Sequence, residues 1–257
     1  MSFGPKAWIQ QHWDARAAAN FMLGGAGSGL LVAAALAYPD SRAPVLLALA
    51  MIAAGLAAVW LEIGKKLRAV NVFFNPFTSW MTRESFAALL VFGLGAAALW
   101  QPRPFLAAAA IAALAFVYCQ GRILRASKGI PAWRAPQVVP LVIATGLAEG
   151  AGLAVFLVQT QLAAALLAIA LIGRMLAWSA YRAEVKSEAL ERAGKALQLG
   201  TLAALLLVAA SFYVAQAALL AAALAVGTGW WLKFSLVTRA ALTQGFSLPR
   251  QPVRGTR

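Results

Sequence analysis

The side chains best suited to proton chemistry stand together at the start of the first apolar segment. His12 is the single histidine, and Trp13, Asp14, Arg16 and Asn20 follow it, with Asn20 on the same helical face as Arg16. An imidazole exchanges a proton near neutral pH, and an asparagine amide donates hydrogen bonds to carbonyl oxygens. His12, Trp13 and Asn20 are therefore candidates for binding a quinone carbonyl. A histidine that merely lies at a water interface is the alternative.

The counts of histidine and cysteine limit the cofactors that this chain can hold. A haem b normally takes two axial ligands from the protein, so one histidine excludes a bis-histidine haem within the chain and leaves only a His/Met pair open. The single cysteine, Cys119, excludes an internal disulfide and a cysteine-ligated iron–sulfur cluster. We therefore expect no haem and no metal site in this chain.

Two acidic residues lie at or within apolar segments, where a charge is costly and usually faces a cavity or a partner. Glu62 ends the second apolar segment just before Lys65 and Lys66, so its carboxylate can reach water. Glu149 lies deeper in its segment. It is a candidate for a proton pathway or for a structural pair with Arg174, and the sequence leaves both possibilities open.

The composition is that of a membrane protein. Of the 257 residues, 62% are hydrophobic and only 12% are charged, whereas soluble domains have about 25% charged residues. The net charge of +14 does not indicate nucleic-acid binding, because the basic residues occur in short loops between apolar runs. The pattern predicts an all-α bundle of eight transmembrane helices. The predicted spans are 17–37, 45–61, 86–100, 105–118, 136–158, 162–181, 197–214 and 216–237.

This prediction divides the chain into an N-terminal segment, 1–16, a transmembrane domain, 17–238, and a C-terminal tail, 239–257. The third and fourth spans are short, so we expect their helices to extend into the neighbouring loops. The charged 182–195 connection is predicted to be a helical extension into water. Pairs of glycines four residues apart, Gly25 with Gly29 and Gly146 with Gly150, predict close helix packing rather than a phosphate loop.

The basic residues predict the orientation. Arg42 and Arg103 lie on the side of the short turns, and the other twenty of the 22 lysines and arginines lie in or next to the termini and the three longer loops. Cytoplasmic loops carry an excess of lysine and arginine. Both termini are therefore expected in the cytoplasm, with the chain in a bacterial inner membrane.

Two long loops, 65–86 and 121–136, are predicted docking surfaces. Both mix cations with aromatic residues and prolines, a composition suited to a fixed shape. An ordinary cytoplasmic loop would explain the cations but not the aromatic residues. The candidate docking residues are Lys65, Lys66, Arg68, Phe77, Arg122, Arg125, Trp133 and Arg134.

These features together resemble the membrane-anchor subunits of the polysulfide reductase and dimethyl sulfoxide reductase family. The resemblance rests on eight spans and on three stretches: F-M-L-G-G-A-G-S-G, N-P-F-T-S-W-M-T-R-E-S-F and R-I-L-R-A-S-K-G-I-P-A-W. The opening G-P-K-A-W-I-Q-Q-H-W-D-A-R-A-A-A-N-F is most similar to the anchors of phenylacetyl-CoA:acceptor oxidoreductases.

The resemblance implies one subunit of a three-part enzyme. A catalytic subunit with a molybdenum or tungsten pterin cofactor would pass electrons through an iron–sulfur subunit to this chain, which would pass them to ubiquinone or menaquinone. The quinone site would lie at the start of the first helix, at His12 and Asn20, with Glu62 beside it. The charge pattern would place the catalytic subunits in the cytoplasm, where a CoA thioester could be oxidised. A secondary transporter and a purely structural anchor without quinone are the alternatives.

Overall fold

The computed structural model describes residues 7–63 and 66–243, except for the side chains of residues 66–68, 102 and 103. Helices form nearly all of this part of the chain, and it contains no β-strand. Eight helices are long and apolar enough to cross a membrane. They are α1, Ala15–Ala37; α2, Arg42–Glu62; α3, Trp80–Trp100; α4, Pro104–Ala126; α5, Val138–Leu157; α6, Gln161–Glu184; α7, Glu188–Ala210; and α8, Gln216–Arg239.

The predicted number of spans is confirmed, and the helix ends differ where polar residues begin. Helix α3 starts at Trp80 rather than at residue 86, α4 continues to Ala126, and α7 starts at Glu188 rather than at residue 197. A hydropathy pattern stops at the last apolar side chain, whereas a helix continues while its backbone hydrogen bonds and a cap are available. Ser79 supplies such a cap for α3, because its side chain accepts a hydrogen bond from the Thr82 amide.

The predicted glycine packing is confirmed between α1 and α5. A Cβ atom built on Gly146 would lie 2.8 Å from the carbonyl oxygen of Gly25, and one built on Gly150 would overlap the backbone of Gly29 and Leu30. The two backbones are therefore in direct contact, as small residues at this spacing allow. Helices α1 and α5 form the buried centre of the bundle.

The large apolar side chains on the outer helix faces suit a lipid environment. Leu90, Ile111, Ile169 and Leu206 are more than half exposed although they lie within membrane-length helices. In water such a surface would favour aggregation, whereas the hydrocarbon of a membrane is a good solvent for it. The chain is a multi-pass membrane protein by helix length and composition.

The two ends of the described chain meet on the same face of the bundle. Ile9 and Leu242 form an isolated antiparallel bridge, and the Gln10 amide donates to the Ala241 carbonyl at 3.0 Å. The N-terminal segment therefore packs against the end of α8. Of the predicted C-terminal tail, 239–257, residues 244–257 lie outside the described part of the chain.

Candidate functional site

A small cavity opens among α1, α2, α3 and α4 at the face where the N-terminal segment lies. Its volume is about 60 Å³, room for a few water molecules or for the edge of a ring. The cavity is lined by Trp13, Ala17, Asn20, Phe21, Val59, Glu62, Met81, Glu84 and Ile123. Three of the four residues that we predicted for quinone binding, Trp13, Asn20 and Glu62, are thus brought to one cavity.

Asn20 and Glu84, which line this cavity, belong to a buried hydrogen-bonded group. The Asn20 side-chain Nδ2 donates to Oε1 of Glu84 at 3.2 Å, and Nε2 of Gln120 donates to the Asn20 carbonyl at 3.0 Å. Asn20 is 5% exposed, Glu84 6% and Gln120 0%. Oδ1 of Asn20 and Oε1 of Gln120 have no hydrogen-bond partner among the described residues. An unpaired buried acceptor is costly, so the site offers acceptor atoms to a water or a ligand.

The local backbone of α1 places Asn20 in this position. Residues Asn20–Gly24 form a π-helical turn, a feature that often marks functional sites. Glycine makes the approach of the neighbouring side chains possible, because a Cβ atom on Gly24 would lie 2.6 Å from Nε2 of Gln120. On the other side, α2 packs against Asn20 through Gly55, where a Cβ atom would lie 3.2 Å from the Asn20 Oδ1.

The outer end of the cavity is charged and close to water. Glu62 is half-buried at the end of α2. The ionisable groups close enough to interact electrostatically with its carboxylate are Asp14, Arg16 and His12. Asp14 caps α1 by accepting from the Arg16 amide, and Nη2 of Arg16 lies 2.8 Å from its Oδ2. The hydrogen bonds from Arg16 lower the pKa of Asp14 below its ordinary value of 3.8. Arg16 also donates to the Leu61 carbonyl and so connects α1 to α2.

His12 is the one predicted quinone residue that does not line the cavity. Its side chain is exposed, and its backbone amide donates to Oε1 of Gln10. It lies near Glu62, but it is not among the residues that line the cavity together with Asn20. The structure therefore supports His12 as a neighbour of the cavity rather than as a ring donor.

The prediction that Trp133 belongs to a docking surface is wrong, because its side chain is only 2% exposed. Its ring stacks on Trp13 at 4.9 Å, and its Nε1 donates to the Leu236 carbonyl at 2.7 Å. Trp133 therefore fixes Trp13, which lines the cavity, to the end of α8. Aromatic side chains with a buried N–H commonly serve as such internal supports.

The other predicted docking residues lie at the surface where the structure describes them. Phe77 is 89% exposed, Arg125 and Arg134 are exposed, and Arg122 stacks on the Trp80 ring at 4.1 Å. The Arg83 guanidinium also lies 4.1 Å from this ring, so two cations flank one indole. Lys65 and the side chains of Lys66 and Arg68 lie outside the described residues. An exposed aromatic and basic surface thus lies before the start of α3 and around the end of α4.

A second buried polar group lies deep in the bundle, away from this cavity. Nζ of Lys233 lies 2.6 Å from Oε2 of Glu149, with both side chains at most 2% exposed. Arg174 donates to the Ala225 carbonyl and to Oγ1 of Thr201, each at 2.7 Å. Of the two possibilities for Glu149, the structural pair is thus formed with Lys233 and not with Arg174, which stays near enough to attract the carboxylate. A proton pathway through Glu149 and Arg174 stays a prediction. Two of the cations that we assigned to one face, Arg174 and Lys233, are buried inside.

Two much larger cavities contain none of the predicted site residues. One, of about 430 Å³, lies at the turn between α6 and α7 beside Trp178, Arg182 and Glu188. The other, of about 280 Å³, is an apolar groove among α1, α5 and α6 that includes Gly29 and Gly173. The groove has no charged or hydrogen-bonding side chain in its lining, so it has no group that could orient a polar ring.

Sequence reasoning missed Glu84, Gln120 and Lys233. Glu84 precedes residue 86 and Gln120 follows residue 118, so both fell just outside the predicted spans. A search window as long as the whole helix, rather than as long as the apolar run, would have included Glu84 and Gln120.

No protein-family model matches this chain, and no curated protein matches it.

Proposed function

We propose that this chain is a quinone-binding membrane anchor of a molybdenum or tungsten iron–sulfur oxidoreductase. The observation that carries the proposal is the cavity at the start of α1, where Trp13, Asn20 and Glu62 meet. A quinone carbonyl needs a hydrogen-bond donor and an aromatic or apolar wall. Asn20 supplies an amide, and Trp13 and Phe21 supply rings.

The size of the cavity defines which part of a quinone it would hold. A site that encloses a whole small molecule usually measures 300 Å³ or more, whereas this cavity measures about 60 Å³. It would therefore take the carbonyl edge of the ring and leave the isoprenoid tail outside, towards lipid. Met81, which is 46% exposed, lies at the cavity and would contact the ring or the first part of the tail.

The proposed partners bind at the same face. Phe77, Arg122 and Arg125 give this face an exposed aromatic and basic surface that suits an iron–sulfur subunit. An iron–sulfur cluster there would lie close to the ring in the cavity. The excess of basic residues supports a cytoplasmic location for this face and for both termini in a bacterial inner membrane.

In this proposal the chain performs no chemistry on the organic substrate. The pterin-containing subunit would oxidise that substrate, for which phenylacetyl-CoA is the proposal from the sequence resemblance. The iron–sulfur subunit would deliver two electrons, and this chain would hold ubiquinone or menaquinone where it accepts them. Apart from the quinone and the redox groups of its partners, the chain would need no further cofactor.

The proposal is tested by purifying the tagged full-length chain in mild detergent. Mass spectrometry of the preparation should identify a pterin enzyme and an iron–sulfur protein in equal amounts with the chain, together with extracted quinone. A chain that copurifies with both proteins but no quinone would support a purely structural anchor. A chain that purifies with neither would refute both forms of anchor.

The second candidate is a secondary transporter, and one observation favours it. Glu149, Lys233 and Arg174 are buried between four helices, and intramembrane charges commonly mark the path of an ion or a substrate. A transporter site, however, usually lies at broken helices, and α5 and α6 run without interruption past Glu149 and Arg174. Uptake measurements in vesicles that contain the purified chain alone distinguish the two, since an anchor transports nothing.

A further inference from the structure

The cavity at the start of α1 has a carboxyl group at each end. Glu84 lies at the inner end on α3 and is 6% exposed, whereas Glu62 lies at the outer end and is half-buried. Asn20 stands beside Glu84 and donates to its Oε1. The cavity thus leads from a carboxylate near water to a carboxyl group inside the bundle.

The surroundings of Glu84 favour a group that holds a proton. Within the described residues its partners are neutral amides, since Asn20 donates to its Oε1 and Gln120 also bonds to its carboxyl group. Among the side chains that the structure describes, none of the ion pairs found includes Glu84. A buried carboxyl group without a cation is cheaper to bury in its protonated form. That form carries an O–H that it can give to a ligand.

We propose that Glu84 gives a proton to the quinone oxygen that Asn20 orients, and that Glu62 passes a proton from water to replace it. This inference rests on the proposed function. The O–H bond of Glu84 breaks and an O–H bond forms on the ring oxygen beside Asn20, while the two electrons for reduction come from the iron–sulfur partner. The second ring oxygen, which lies outside this cavity, takes its proton from water. The Glu84 carboxylate then regains its proton from Glu62 through water in the cavity.

The arrangement explains why the sequence contains two carboxyl groups at one small cavity. A single buried acid would give one proton and would then be separated from water by Trp13 and Phe21. Glu62, which is open to solvent and lies near Arg16 and His12, supplies the connection to the exterior. The cavity volume of about 60 Å³ has room for the waters that such a transfer needs.

The test uses the purified complex with decylubiquinone as electron acceptor and Glu84→Gln as the principal variant. Glutamine keeps the shape and can still accept from Asn20, but it has no acidic proton. Because general acid catalysis contributes about 10²–10⁴ in rate, kcat should fall about 100-fold or more while KM stays unchanged. The remaining rate should show a larger solvent isotope effect in D₂O.

Two further variants make the result specific. Glu84→Asp keeps an acidic proton and should recover part of the lost kcat, which a purely structural role for Glu84 would not predict. Glu184→Gln removes an exposed carboxylate at the end of α6, on the same face, and should leave the kinetics unchanged. Thermal unfolding of each variant shows whether the fold is kept.

The outcomes separate the two proposals. If the native complex binds and reduces decylubiquinone and Glu84→Gln has the native kcat, Glu84 is not the proton donor and the proposed function stands. If the loss in Glu84→Gln is a rise in KM alone, Glu84 only helps to bind the ring and the inference is overturned. If the native complex neither binds nor reduces quinone, the proposed function itself fails.

Discussion

Replacing Lys233 by methionine should destabilise the protein more than any surface substitution. The ammonium group of Lys233 lies 2.6 Å from Glu149, and a Cβ atom on Gly25 would overlap its Nζ, so the pair is enclosed on all sides. Methionine has a similar length and no charge. It therefore fills the space of the lysine stem but leaves the Glu149 carboxylate buried without its cation.

The expected loss follows from the burial of the pair. Removing one member of a buried ion pair costs about 3–5 kcal/mol, because the remaining charge is left in a medium of low dielectric constant. The loss in Lys233→Met should lie near the lower end of this range, because Arg174 remains close to Glu149. Glu149→Gln should cost more, because it leaves two buried cations without an anion.

The double variant distinguishes a specific pair from two independent contributions. Lys233→Met with Glu149→Gln removes both charges, and replacing a whole buried pair by neutral groups is often close to neutral in free energy. Its loss should therefore be smaller than that of Glu149→Gln, because Arg174 is then left without an anion but Lys233 is not. Equilibrium unfolding in mixed micelles, followed by tryptophan fluorescence and far-UV circular dichroism, gives the free energies. A double variant whose loss equals the sum of the two single losses would refute this reasoning.

Three other predictions concern the parts of the structure that position the cavity. Gly150→Ala should lower the free energy of unfolding by about 1–3 kcal/mol, because its Cβ atom meets the α1 backbone, whereas Gly93→Ala, where no atom lies within 4 Å, should not. Trp133→Phe loses the hydrogen bond to Leu236 and should cost about 1–3 kcal/mol, while Trp100→Phe at an 83% exposed site should change little. Below pH 3.8, protonation of Asp14 should weaken the start of α1, because a carboxylate whose folded pKa is lowered stabilises the fold only while it is ionised. Lower protection of the Arg16 and Ala17 amides, measured as their exchange rate relative to the intrinsic rate at the same pH, would show this, and Asp14→Asn should abolish the change. Protection that is the same above and below pH 3.8 would contradict it.

The fold was largely predictable because lipid leaves few choices. A backbone in hydrocarbon must satisfy its hydrogen bonds internally, so eight apolar runs give eight helices. The glycine pairs also predicted a real contact, since Gly25 and Gly146 touch through their backbones. The helix ends could not be predicted in the same way, because a helix continues beyond its apolar run and includes polar residues such as Glu84.

The site was predictable only in part. Trp13 and Asn20 are close in the sequence, on either side of the start of α1 at Ala15, so both are expected near the same end of this helix. The pairing of Asn20 with Glu84, or of Glu149 with Lys233, joins residues 64 and 84 positions apart. Such contacts depend on which helices are neighbours, and hydropathy and spacing contain no information on this. Trp133 was wrongly predicted to lie on a docking surface, because the sequence does not show whether an aromatic residue of a loop turns inward or faces a partner.

Photolabelling with a quinone that carries an azide on its ring tests whether the cavity at the start of α1 binds quinone. The labelled full-length chain, in native membranes, is digested and the modified residues are found by mass spectrometry. We expect labels at the cavity, on Trp13 or Met81, and their loss when excess unlabelled quinone is present. Labels confined to the apolar groove among α1, α5 and α6, or labels that excess quinone does not displace, would contradict it.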